Sequence, residues 1–214
     1  MKRKRISLNS IVTAQIAAVM ISMLGATFAT AQGLEETPEP IQPDPQLEVE
    51  STAPAEPSEL DRLFAELAKP EQAGWKQIEE TIWIEWSKSG SPSMDLLLRR
   101  GRKALEGDDL AGAIEHFTAL TDHAPGFAEG WNARATAYFH AGLYGPSIED
   151  IRRALALNPR HFGALSGLAI MMEELQLEQK ALEAYRAVEA IHPHRPNVKD
   201  AIERLEKKLE GQRI

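Results

Sequence analysis

The stretch AEGWNARATAYFHAGLYGPSIEDIRRALALNPRH, residues 128–161, carries the pattern that decides the fold. Its apolar and small residues predict a helix over residues 128–141, a turn at 142–144 and a second helix over 146–157. The proline that opens the second helix is tolerated there, because the first-turn N–H groups have no intrahelical partner. Pro159 then stops the second helix. The stretch is therefore predicted to form a helical hairpin.

The same pattern returns on both sides of this stretch. Pro125, Pro159 and Pro193 are equally spaced along the chain. This register aligns small residues where two helices must approach closely, and large apolar ones where a groove must be filled. The aligned sets are Gly101, Ala135 and Ala169; Ala113, Ser147 and Ala181; and Phe117, Ile151 and Tyr185. The repeat predicts three stacked hairpins.

These hairpins resemble the tetratricopeptide repeat (TPR), whose pattern is W-x2-L-G-x2-Y, then A-x3-F, then a proline, over about 34 residues. The matching positions are Trp131, Ala135, Tyr138, Ile151 and Pro159 in the middle unit, Leu97, Gly101, Ala113, Phe117 and Pro125 in the unit before it, and Leu165, Ala169, Ala181, Tyr185 and Pro193 in the unit after it. Arg134 and Ser147 depart from the pattern, which has Leu and Ala there. The resemblance implies an all-α, right-handed α-solenoid with repeats at 94–127, 128–161 and 162–195.

Helices are also predicted on either side of the three repeats. Residues 58–93 read as a helical pair, the first helix capped by Ser58 and the second running over about 71–88. The pair is either a degenerate fourth repeat or an N-terminal cap. Residues 196–214 form one more amphipathic helix, typical of the solvating helix that closes a repeat array.

The first 31 residues have the pattern of an export signal. Four basic residues at positions 2–5 precede an uncharged stretch, and Ala29-Thr30-Ala31 supplies a small-x-small cleavage site. We expect cleavage after Ala31 and a periplasmic protein. The alternative is an uncleaved anchor in the inner membrane that faces the periplasm, since about 20 apolar residues suffice to span a bilayer.

Residues 32–57 are rich in proline, glutamate and aspartate and contain no basic residue. Proline removes backbone donors, and unopposed negative charge extends a chain. This segment is predicted to be a disordered linker.

Charge and composition exclude several classes of partner and site. Without positions 1–31 the chain has 20 basic and 32 acidic residues, a formal charge of −12. Such a surface repels nucleic acid, so no nucleic-acid partner is expected, and a membrane contact only if the signal is uncleaved. The chain has no cysteine, and therefore no lipidation cysteine next to the cleavage site, no disulfide and no thiolate metal site. No cofactor is predicted.

In the TPR family the first helices of successive repeats line a curved inner surface that binds partners. By this resemblance the predicted peptide- or protein-binding residues are Arg99, Arg102, Asn132, Thr136, Phe139, His140, Ile170 and Glu173. Guanidinium groups can pair with a carboxylate, and an aromatic ring can hold an apolar side chain. TPR domains that clamp chaperone carboxylates use arrayed Lys and Asn; here Leu98 and Ser166 replace them beside Asn132, so that ligand is not predicted.

No residue constellation supports catalysis. There is no cysteine or G-x-S-x-G nucleophile, and His192-Pro193-His194 lacks the histidine pairing of a metal site. The main hypothesis is a non-enzymatic adaptor or scaffold that binds a protein or peptide through the concave face. The alternative is a structural module that forms homo-oligomers through the N-terminal helices, which carry Trp75, Trp83 and Trp86. Core packing is the simpler interpretation of those rings, which share one helical face.

Overall fold

The structure of the protein, a computed structural model, describes residues 56–211, and all regular secondary structure in that range is α-helical. The predicted signal segment lies outside the described residues, as does the predicted disordered linker apart from residues 56 and 57. The helices are α1 (Glu59–Leu67), α2 (Trp75–Trp86), α3 (Pro92–Glu106), α4 (Leu110–His123), α5 (Ala128–His140), α6 (Tyr144–Leu157), α7 (Phe162–Glu174), α8 (Glu178–Ile191) and α9 (Val198–Gly211).

Three hairpins, α3–α4, α5–α6 and α7–α8, repeat the same turn. Asp108, Gly142 and Gln176 each have a positive φ, at 61°, 72° and 58°, and are spaced along the chain at the same interval as the three prolines. The amide that follows each of them donates to the carbonyl five residues earlier, which satisfies a carbonyl at the end of the preceding helix. The turns therefore reproduce the sequence period in the backbone. Helix α6 begins at Tyr144, earlier than the expected 146, because proline is tolerated throughout the first turn.

The aligned sets of the sequence are all buried, as the stacking of hairpins requires. Phe117 is fully buried with Leu98 and Leu120 in a core that α3, α4 and α5 share. The next core, with Ile151 and Met171, joins α5, α6 and α7. The predicted all-α solenoid of helical repeats is confirmed.

A close helix contact explains Gly101 and gives a first prediction. A Cβ at Gly101 would lie 2.3–2.7 Å from three ring atoms of Phe117, which is fully buried and cannot move away cheaply. We expect Gly101→Ala to lower the free energy of unfolding by about 1–2 kcal/mol, because overpacking outweighs the better helix propensity of alanine. Urea unfolding followed by circular dichroism measures this change.

Gly167 is the matched control, since it also lies inside the first helix of a repeat. A Cβ there would meet only Ile151 Cδ1, at an ordinary 3.6 Å. Gly167→Ala should therefore raise the stability by up to about 1 kcal/mol. If the two alanine variants changed stability in the same direction, packing against Phe117 would not be the reason for Gly101.

Ser147, where the repeat pattern has alanine, is fully buried without an unsatisfied hydroxyl. Its Oγ donates a 2.7 Å hydrogen bond to the carbonyl oxygen of Ala135 on the facing helix. The small side chain preserves the close approach of α5 and α6, and the bond offsets the cost of burying the hydroxyl.

The N-terminal helical pair, α1 and α2, does not stack on α3 as one more repeat would. Ser58 caps α1 through a reciprocal pair of hydrogen bonds with Asp61, which confirms it as the N-cap. Helix α2 begins at Trp75 instead of about 71, because hydrogen-bonded turns occupy the preceding residues. Phe64, Leu67, Ile82 and Trp86 belong to the core of α7, α8 and α9. The pair therefore packs across the later repeats.

Helix α9 closes the other end of the array. Val198, Ala201, Ile202 and Leu205 are buried against the last repeat and Leu209 packs beside them, while most of its other side chains are polar. Within residues 56–211, no helix is long and apolar enough to cross a membrane.

Candidate functional site

The first helices of the three repeats, α3, α5 and α7, form one face of the array, which we call the groove. A pocket of about 240 Å³ opens in the groove between α5 and α7. Five of the eight predicted binding residues line it: Asn132, Thr136, Phe139, His140 and Ile170.

This pocket is lined by both apolar and polar side chains. Phe139, Ile151, Ile170 and Met171 are the large apolar residues of this lining. Its volume exceeds the cavity of about 150 Å³ that accepts a benzene ring in an engineered protein core. The pocket can therefore receive one aromatic or branched apolar side chain from a partner.

The two predicted arginines lie apart from this pocket. Arg99 and Arg102 line a second cavity, of about 580 Å³, between α2 and α3. Arg99 is exposed there. Arg102 donates to Glu129 Oε1 at 2.6 Å and to Ser87 Oγ at 3.0 Å, so its guanidinium already has partners within the chain.

Glu173, the eighth predicted residue, lines neither cavity. It accepts a bidentate pair of hydrogen bonds from Arg204 on α9 and one from the hydroxyl of Tyr185 on α8. The Arg204 guanidinium holds the pKa of Glu173 below its usual value, and burial raises the pKa of Tyr185 to about 12. The structure thus places Glu173 in the contact that fixes the closing helix.

A buried polar network lies beneath α2. His161, fully buried, accepts a hydrogen bond from the Ala164 amide at Nδ1, so its Nε2 carries the proton and donates to Glu129 Oε2 at 2.9 Å. The same carboxylate accepts from Asn132 and from Arg102. Because Glu129 is only 3% exposed, these three donors offset the cost of burying its charge.

Arg195 is a groove residue that is not among the eight predicted binding residues. It is the last residue of the third repeat, yet it reaches back to line the pocket between α5 and α7. Its guanidinium donates to Ser166 Oγ at 2.9 Å and to Glu79 Oε1 on α2 at 2.6 Å. The repeat register contained a signal, since Arg195 lies one repeat after His161, the residue that caps α7 and joins the network beneath α2.

The tryptophans of the N-terminal pair pack inside the chain. The Trp86 ring stacks on His161, with centroids 4.2 Å apart, and Trp83 meets Phe162 edge to face at 5.5 Å. Trp75 stacks on His194 at 6.1 Å. Self-association through these rings would therefore require α2 to leave the repeats first.

His192 is the buried group at this interface that lacks hydrogen bonds. Within residues 56–211 neither of its ring nitrogens has a hydrogen-bond partner, and Glu79 Oε2 remains 3.5 Å from Nε2. Phe162 and Trp75 cover the ring edge to face, at 5.2 and 5.5 Å. Burial is the main cause that lowers the pKa of His192, and Arg195 and His194 add to it, while Glu79 opposes them.

The burial of His192 indicates that the packing of α2 on the repeats is sensitive to acid. Because the pKa of His192 is lower in the folded chain than in the unfolded one, the unfolded state binds more protons. The contribution of neutral His192 to the free energy of unfolding should therefore be fully present at neutral pH. It should fall as the pH drops below about 6.5, the pKa of a free histidine. Urea unfolding at a series of pH values measures the loss, and His192→Phe should remove this part of it.

His123, exposed at the end of α4, provides the control. His123→Phe should keep the pH dependence of the wild type. An unchanged pH profile in His192→Phe would show that other groups cause the acid sensitivity.

In the part of the chain that the structure describes, no three His, Asp or Glu side chains come close enough together to hold a metal ion. The groove offers hydrogen bonds, charges and apolar surface, which are the means of binding another chain.

Comparison with known proteins identifies a matching family model and a relative of this chain. A family model described as tetratricopeptide repeat matches residues 98–145 and 146–196. A TPR repeat-containing protein of Rhizobium etli is 35% identical over 157 residues, which cover 72% of this chain and 76% of that protein.

Solved TPR domains share the fold at lower identity. The Sgt2 TPR domain of Aspergillus fumigatus has a TM-score of 0.53 and 24% identity, over 57% of this chain and 83% of that one. The first TPR domain of Spaghetti (RPAP3), solved with an HSP90 peptide, has a TM-score of 0.53 and 23% identity, over 55% and 93%. With three helical hairpins in one regular register and a relative matched over most of both chains, this protein belongs to the tetratricopeptide-repeat family.

Proposed function

We propose that the protein is a non-enzymatic adaptor that binds a peptide or protein segment in the groove. The observation that carries this proposal is the pocket between α5 and α7, where five side chains chosen from the repeat register surround one cavity. Members of the family generally mediate protein–protein interaction, and RPAP3 does so with an HSP90 peptide. The apolar side chains of the pocket would hold an anchoring side chain of the partner, and the polar side chains would position its backbone.

The ligand of RPAP3 does not fit this groove. Leu98 is 1% exposed, the Asn132 amide donates to Glu129, and the Ser166 hydroxyl accepts from Arg195. The three positions therefore offer no array of free donors for a chaperone carboxylate. We expect the partner to be anchored by an apolar residue instead.

The test is a crosslinking pull-down from intact cells, followed by direct binding measurements with the purified partner. Ile170→Glu places a charge at the pocket and should reduce partner affinity by about tenfold or more. Leu177→Glu is the matched control, because Leu177 is 41% exposed against 42% for Ile170 and lies outside the pocket. Equal recovery by the two variants would exclude the pocket, and recovery of the protein itself by both would favour the self-associating module.

We place this adaptor in the periplasm on the basis of the basic, apolar and small-residue pattern of positions 1–31. Mass spectrometry of the exported protein should find an N-terminus at Gln32. An intact Met1 in the membrane fraction would instead indicate an anchored protein, and an intact Met1 in the cytoplasm would exclude both.

A further inference from the structure

Helix α2 occupies part of the groove in the manner of a bound ligand. Trp83 fills the space above Gly163, where a Cβ would come within 2.5 Å of the indole ring. Three residues later Trp86 stacks on His161, which caps the start of α7. The surface beneath α2 is thus shaped for two aromatic rings on one face of a helix.

Charge complements this shape. The repeats present arginines, and the N-terminal pair presents acids: Arg195 binds Glu79 at 2.6 Å, and Arg160 binds Asp61 at 2.7 Å. Glu79 precedes Trp83 by four residues, so it lies one turn away on the same face. An acidic residue followed by two aromatic residues is therefore the pattern that this part of the groove recognises.

Three features of the structure favour detachment of α2 from the repeats. Helices α1 and α2 have only 9 and 12 residues, too few for stable helices away from the repeats. The segment between α2 and α3 contains Gly90 at a φ of 81°. Beneath α2, His192 is buried without a hydrogen-bond partner among the described residues. An incoming helix whose acid reached both Arg195 and His192 would gain a contact that α2 lacks.

Open space lies beside α2 and at a second place in the groove. The cavity with Arg99 lies between α2 and α3, and the pocket with Phe139 lies between α5 and α7. A longer helix in the position of α2 would extend into regions of the groove that α2 leaves empty.

We propose that the groove is a helix-binding surface which α2 occupies in the unbound protein, and that the partner is an amphipathic helix that displaces α2. This partner carries an acidic residue four positions before the first of two aromatic residues spaced three apart, as in Glu79, Trp83 and Trp86. The proposal rests on the proposed function, because it names the class of partner that the groove binds and the event that exposes its site.

The probe is a fluorescently labelled peptide of residues 72–90, and the control peptide carries alanine in place of Trp83 and Trp86. The protein is the full chain with Lys69→Cys and His194→Cys, whose thiols are unique because the chain has no cysteine. His194 Nε2 lies 2.8 Å from the Lys69 carbonyl, so a short bismaleimide can join the two sites and hold the N-terminal pair in place.

Fluorescence anisotropy should show binding of the peptide to the unlinked protein and a loss of about tenfold or more in affinity after linking, since linking removes the open state. In the otherwise unaltered chain, Trp83→Ala should bind the peptide about tenfold more tightly than the wild type, because the open state is more populated. The control peptide should bind none of these proteins. Circular dichroism verifies that each variant keeps its helices.

Three results would overturn the proposal. One is equal affinity of the linked and unlinked proteins for the peptide, and another is no binding of the peptide to Trp83→Ala. The third is a dimer in sedimentation that forms in place of the peptide complex, which would make a second copy the occupant. A cellular partner lost in Ile170→Glu would keep the proposed function standing even where the peptide results overturn the exchange of α2.

Discussion

Phe162→Ala should lower the free energy of unfolding by about 3–5 kcal/mol, among the largest losses expected for a single substitution in this chain. Phe162 is fully buried where three parts of the molecule meet. Trp86 from α2 lies 4.9 Å from its ring centroid, and His192 from the end of α8 lies at 5.2 Å. Truncation would leave a cavity that none of these elements can fill alone. Urea unfolding followed by circular dichroism gives the change.

Phe139→Ala is the matched control, since it removes the same atoms from a partly exposed site in the open pocket. Its loss should be less than half of that for Phe162. Similar losses for both variants would show that the N-terminal pair adds little to the packing of Phe162.

The repeats could be predicted from the sequence because their pattern is local and periodic. Regularly spaced prolines stop the second helices, and the aligned small and large residues indicate which helix faces pack together. A hairpin packs first on its neighbours in the chain, so the order of α3 to α8 follows from the order of the sequence.

The placement of the N-terminal pair could not be predicted in this way. Its apolar periodicity shows that one face must be buried but does not show where. The contacts that decide the answer join distant residues, such as Asp61 with Arg160 and Lys69 with His194. The partner of Gly163 could not be predicted either, because a glycine inside a helix does not reveal which ring needs the space.

The candidate site could be predicted only in part, because the repeat register shows which positions face the groove but not which side chains pair with them. The register identified the positions that face the groove on α5, and the structure gathers them around one pocket. It could not show that Arg102 is already paired with Glu129, or that α9 supplies Arg204 as a partner for Glu173. Pairing depends on residues outside the repeat pattern.

Asp150→Ala should lower the free energy of unfolding by about 3 kcal/mol, because it leaves the guanidinium of Arg134 without its partner in a mostly buried site. Arg134 donates two hydrogen bonds to this carboxylate, at 2.7 and 2.8 Å, and a third to Thr121 Oγ1 at 2.8 Å. The side chains are only 13% and 7% exposed. This pair explains why Arg134 departs from the leucine of the repeat pattern. Urea unfolding measures the loss.

The double variant Arg134→Leu, Asp150→Ala tests whether the pair or the single charges matter. Each single variant leaves one charged group unpaired, whereas the double variant removes both charges, restores the leucine of the repeat pattern at position 134 and should regain most of the lost stability. If the two single losses instead simply added in the double variant, Arg134 and Asp150 would stabilise the repeat independently. Their close bidentate geometry would then be a consequence of the packing of α5 on α6, and the position would tolerate leucine only together with larger changes nearby.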